Sequence, residues 1–123
     1  MRRRWFLTVP ALAACGGRDR AALPETVGGW RRVAGAQPQV PALLQRSLRR
    51  ASAAEYQGAG TATVSVFELA SSAAALDAVQ RWRPEPDAVI FHRDNYFVRV
   101  RSSVPDRRAL GAFMRALEKH FQR

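Results

Sequence analysis

Few side chains in this sequence are placed to do chemistry. Cys15 is the only cysteine of the 123 residues, so its thiol has no disulfide partner within the chain and no second thiolate for a zinc or redox motif. The two histidines, His92 and His120, have no third metal-type residue at ligand spacing, and no metal is expected. Nucleophilic catalysis needs a serine or cysteine with a base and an orienting carboxylate; Ser65, Ser102 and Ser103 fall where strand and cap roles account for them. Paired carboxylates would have to come from Glu55, Glu68, Glu85, Asp87 or Asp94, and Glu85 and Asp87 lie in a proline-punctuated loop where acidic residues serve solubility. Gly58-Ala59-Gly60 lacks the lysine and the following helix of a phosphate-cradling loop. The chain is therefore read as a non-enzyme without a cofactor, with an envelope enzyme as the lesser alternative.

The arginines are the exception to this sparseness. Twenty basic residues face ten acidic ones, and all but one of the basic residues are arginine. Such a surplus attracts anionic headgroups and other polyanions, while the preference for Arg together with abundant Ala equally fits a GC-rich genome; both readings stay open. In the stretch Tyr96 to Arg101, strand alternation sets Phe97, Arg99 and Arg101 opposite Tyr96, Val98 and Val100. If the second set faces the helices, Arg99 and Arg101 form a basic patch on the open sheet face, joined by Thr61, Thr63 and Ser65 or by the alternate positions of that strand. That patch is a candidate site for an anionic ligand or a protein partner, and it also matches the solvated face of a one-sided antiparallel sheet.

Cys15 takes its chemistry from its setting. Residues 1–14 begin with a run of three arginines, continue with an apolar stretch too short to span a bilayer, and end in two small residues. Leu12-Ala13-Ala14-Cys15 resembles the bacterial lipobox, which implies cleavage before a cysteine whose sulfur carries diacylglycerol. Two or three acyl chains anchor a protein stably where one does so only marginally. Arg3-Arg4-Trp5-Phe6-Leu7 also resembles the twin-arginine export consensus, leaving both export routes open. Removing residues 1–14 takes three arginines and no carboxylate from the net charge of +10, leaving +7 on the mature side chains. Leu23-Pro24-Glu25-Thr26 is not a sortase signal, because Val27 follows it and it stands at the wrong end of the chain.

The elements that must position these residues follow a signal peptide over 1–14 and a lipidated cysteine with a polar tether over 15–22. A single domain is expected over 23–123. Trp30 to Val33 reads as a short strand, Pro41 opens a short helix over 42–48, and Arg50 to Tyr56 and Thr61 to Leu69 form a hairpin around Gly58 to Gly60. Ser71 or Ser72 caps a helix through Trp82, with Ala75, Leu76, Val79 and Trp82 on one face. Ala88 to His92 and Tyr96 to Arg101 are joined by a turn at Arg93-Asp94-Asn95. Ser103 to Asp106 reads as a capping box before a last helix whose stripe is Leu110, Phe113, Met114, Leu117 and Phe121. The fold class is α+β: an antiparallel sheet of four to five strands with helices on one face, a ββα unit used twice.

Val27-Gly28-Gly29-Trp30, Tyr56-Gln57-Gly58 and the hairpin Ile90 to Val100 resemble a bacterial domain family of unknown function, found in exported proteins of soil bacteria, notably acidobacteria. The resemblance covers most of residues 23–121 and implies a fold and an exported location, without an activity. The expected protein is a small envelope lipoprotein, membrane-bound through Cys15, with a binding or scaffolding domain on the extracytoplasmic or periplasmic side. Its expected partner is an envelope protein or an anionic ligand; no nucleic acid is expected.

Overall fold

The computed structural model describes residues 22–103 and 106–122. Arg3, Arg4, Leu12, Ala13, Ala14 and Cys15, the residues of the expected signal and lipidation site, lie outside the described residues.

Strands β1 (Thr26–Val27) and β2 (Trp30–Ala36) form a hairpin. Its turn residues, Gly28 and Gly29, have φ of +52° and +86°, the left-handed geometry that two-residue hairpins require. Strand β2 runs three residues beyond the expected Val33, because pairing with the next strand holds Ala34 to Ala36 in register past an irregularity at Val33. The expected helix over 42–48 is only a single 3-10 turn, Ala42–Leu44. Strands β3 (Leu48–Gln57) and β4 (Thr61–Leu69) follow, then α1 (Ser72–Arg81), β5 (Ala88–Arg93), β6 (Tyr96–Ser102) and α2 (Arg107–His120). The Ser71 hydroxyl accepts the Ala74 N–H at 3.0 Å and caps α1. Helix α2 is capped by Asp106, whose carboxylate accepts the Arg108 N–H at 2.9 Å. Ser103, expected as that cap, instead shares a 2.7 Å hydroxyl hydrogen bond with Thr61.

The sheet has six antiparallel strands in the order β1-β2-β3-β4-β6-β5, not four or five. The helices take both faces of it. Ala62, Val64 and Val66 of β4 and Tyr96, Val98 and Val100 of β6 pack with Phe113, Leu117 and Phe121 of α2. The alternate positions Phe67, Leu69 and Phe97 pack instead with Ala75 and Ala78 of α1 and with Leu44. Alternation makes these two sets opposite faces, so the expectation of helices on one face is corrected. Strand-strand-helix does occur twice in the element order, yet the helices lie on opposite faces and the second unit is not a spatial copy of the first.

Each fully buried aromatic or leucine side chain contributes about 1.5–3 kcal/mol, so Phe113, Leu117 and Phe121 secure α2 against the sheet. Trp30 and Tyr56 complete that layer, with ring centres 4.7 and 5.7 Å from that of Phe113. The Tyr56 hydroxyl donates to the Pro24 carbonyl at 2.5 Å, and Arg32 donates to the Leu23 carbonyl at 2.7 Å. Together they fasten the start of the domain to the sheet. On the other face α1 turns Ala75 and Ala78 inward, while Leu76, expected on the apolar stripe, is 45% exposed. The small alanines let α1 lie close to Phe67 and Phe97, and Leu76 projects sideways.

Candidate functional site

Helix α1 covers only one end of its face of the sheet, the end holding Phe67, Leu69 and Phe97. Toward the other end the same face carries Ser65 and Thr63 on β4 directly opposite Arg99 and Arg101 on β6. On the far side of β6, Ile90 pairs with Arg99 and Ala88 with Arg101. The alternation read from Tyr96 to Arg101 thus places both arginines on one face beside Thr63 and Ser65. That face is not open, however.

Two segments fold over it. The connection from β2 to β3 brings Gln37 and Gln39 beside Thr63, Ser65, Arg99 and Arg101, and together they line a half-open pocket of about 200 Å³. Val40, Pro41 and Leu43, further along that connection, face Trp82 across a larger cleft of about 530 Å³. Arg99 and Gln39 line both spaces, so the two adjoin at these residues. The second segment is the proline-punctuated loop after α1. Because Ala88 pairs with Arg101, the residues just before it must pass that side chain. Arg101 donates to Glu85 Oε2 at 3.0 Å and to both oxygens of Asp87 at 3.0 and 3.1 Å. These hydrogen bonds, that to Glu85 foremost and then those to Asp87, raise the Arg101 pKa above its ordinary value. A solubility role for Glu85 and Asp87 is therefore too weak a description of them.

Arg99 is treated differently from Arg101. Its side chain is only 16% exposed, and its closest carboxylate oxygen, Glu85 Oε1, is 3.9 Å from Nη1, beyond hydrogen-bonding distance. That oxygen is itself buried without a hydrogen-bond partner among the described residues. The guanidinium carbon lies 5.8 Å from the centre of the Trp82 ring, within range of a cation–π contact. Among the described residues no hydrogen bond is donated by the Arg99 guanidinium, which carries five N–H groups. It is a half-sequestered cation that lines the cleft.

The other residues weighed for chemistry are held apart from this cleft. Glu68 accepts two hydrogen bonds from Arg50, at 2.6 and 3.0 Å. Asp94 adopts φ +51° in the turn between β5 and β6. His120 contacts the Ala22 carbonyl at 3.2 Å and the Phe121 ring. His92 lies opposite Phe97 in the sheet, its Nδ1 buried without a hydrogen-bond partner among the described residues. No group of three metal-type side chains occurs among the described residues, and no described helix is long and apolar enough to cross a membrane. Trp82, which the helical periodicity made a core residue, does touch the core through Phe97 at 5.2 Å between ring centres, and it lines the cleft as well. The part played by Gln37 and Gln39 had no signal in the sequence, since it depends on where a loop returns. No known protein family, curated protein or solved structure matches the chain, so the case for this site rests on its own residues.

Proposed function

We propose that this protein is a lipid-anchored component of the bacterial envelope whose folded domain binds a small anionic ligand at Arg99. The observation that carries the binding role is the Arg99 guanidinium: its side chain is mostly buried, lines two adjoining cavities, and has no hydrogen-bond acceptor among the described residues. An anion entering the cleft would accept charge-assisted hydrogen bonds from the guanidinium N–H groups, with less competition from water than at an open surface. Arg101 plays a supporting role, because Glu85 and Asp87 already occupy it. The anchor rests on the arginine run, the apolar stretch and the Leu12-Ala13-Ala14-Cys15 ending. The reading is of a binding protein, not an enzyme, with an envelope protein as the alternative occupant of the same face.

Both halves are testable. Expressed in a bacterium, the wild type should partition with detergent and carry acyl mass on a chain starting at Cys15, whereas Cys15→Ala should do neither. If both forms stay in the aqueous phase and begin at Met1, the anchor is refuted. The Arg99 side-chain resonance should shift saturably on addition of benzoate, and the affinity should fall several-fold between dilute buffer and molar salt as screening shortens to about 3 Å. An unmoved resonance would refute the ligand site.

A further inference from the structure

The cleft at Arg99 is much larger than a charge needs, and half of the other residues that line it are apolar. Val40, Pro41 and Leu43 form one side and Trp82 the other. The β2–β3 connection that supplies the first wall is anchored by Leu44, which is fully buried beneath it, so the wall is held by the core. The cations are Arg99 within and Arg83 beside Trp82, with Arg81 paired to Asp77 at 3.4 Å and Glu85 as the carboxylate lining the cleft. A volume of about 530 Å³ lies in the range of pockets that enclose organic molecules, about 300–1,000 Å³, mostly apolar with a few placed polar groups. An inorganic anion would fill only the neighbourhood of the guanidinium and leave the apolar wall wet.

We infer that the ligand is an amphiphilic organic anion, with a carboxylate or similar head on Arg99 and an apolar body between Trp82 and the Val40–Leu43 wall. This rests on the reading of Arg99 as the anion site and adds the requirement for an apolar body. The guanidinium's edge fits a carboxylate through two parallel N–H bonds. Each methylene-sized piece of the body withdrawn from water tightens binding about fourfold, so the body, more than the head, sets the affinity. Thr63, Ser65, Gln37 and Gln39, on the other side of Arg99, offer hydroxyl and amide groups to polar substituents on the head.

The test is calorimetric titration of the full chain carrying Cys15→Ala, which removes the need for detergent. Its four probes are 2-naphthoate, 2-naphthalenemethanol, acetate and inorganic phosphate. Naphthoate is expected to bind at least tenfold more tightly than acetate, phosphate or the uncharged alcohol. Val40→Ser and Leu43→Ser should each weaken naphthoate several-fold while leaving acetate unchanged; two variants guard against one that fails to fold. If acetate or phosphate binds as tightly as naphthoate and Arg99→Gln abolishes all of it, the apolar-body inference is overturned and the anion site survives. If the alcohol binds as well as naphthoate and Arg99→Gln changes nothing, the anion site itself is wrong. Absence of binding by all four probes would overturn both.

Discussion

Glu85 reaches Arg101 and stops short of Arg99: its Oε2 accepts a 3.0 Å hydrogen bond from Arg101, whereas its Oε1 stays 3.9 Å from Arg99. One carboxylate thus stands between two arginines two residues apart on β6, satisfying one and only partly neutralising the other. Asp87 completes the neutralisation of Arg101. The loop after α1 divides the pair into a structural arginine and a receptive one.

Replacing Glu85 therefore has a defined expected effect. A unit charge about 4 Å away is worth about 4 kcal/mol at an effective dielectric constant near 20. Glu85 is 31% exposed, so water screens much of that. Glu85→Gln should tighten binding of an organic carboxylate about tenfold, and isothermal titration would read it directly. Unchanged or weaker binding would mean that Glu85 does not compete for Arg99.

Alkaline unfolding should report on Tyr56. Burial pushes its hydroxyl up to about 12 from the ordinary 10.0, with the nearby Arg32 charge opposing the shift in part. The folded state thus favours the neutral phenol. Its stabilising contribution is complete below pH 10 and is lost as pH rises toward 12, on the order of 2 kcal/mol in all. Tyr56→Phe should lose about 1 kcal/mol at pH 7 with the hydrogen bond to Pro24, yet show a flatter decline in thermal midpoint between pH 10 and 12. Parallel declines in both proteins would mean that Tyr56 is not the group responsible.

Gly58 is predicted to be irreplaceable for a reason of space. A Cβ there would lie 2.6 Å from the Trp30 ring, which is held against Phe113. Gly58→Ala should cost about 1–3 kcal/mol by overpacking, whereas Gly35→Ala, with nothing within 4 Å of its added carbon, should cost far less. Chemical denaturation of the two variants side by side would show equal stabilities if the Trp30 contact does not constrain the hairpin.

Much of the fold is legible because its signals are local. The β-branched alternation of Thr61 to Leu69, the turn residues at Asp94 and Asn95, and the spacing of Phe113, Leu117 and Phe121 each mark an element without help from elsewhere. The second core was also written in the sequence: Phe67, Leu69 and Phe97 are too large and apolar to share an open face with Ser65 and Arg99 unless something covers them. The arginines alone suggest an open face; the phenylalanines beside them require a covered one. Strand β2 past Val33 carries no such mark, since exposed Ala34 and Gly35 are held only by pairing with β3. The site divides in the same way. Arg99 and Arg101 follow from strand parity, whereas Glu85, Asp87, Gln37 and Gln39 arrive through loops whose paths are fixed only once the sheet has formed.

Binding at this face requires that an anion enter the cleft and be held by Arg99. Crystals grown with 4-iodobenzoate would test it most directly, because the anomalous scattering of iodine locates the molecule independently of phasing bias. The account predicts one strong iodine peak between Trp82 and Leu43, with the carboxylate on the Arg99 guanidinium, and its absence in Arg99→Gln. A peak elsewhere, or one at the cleft that persists in Arg99→Gln, would contradict it.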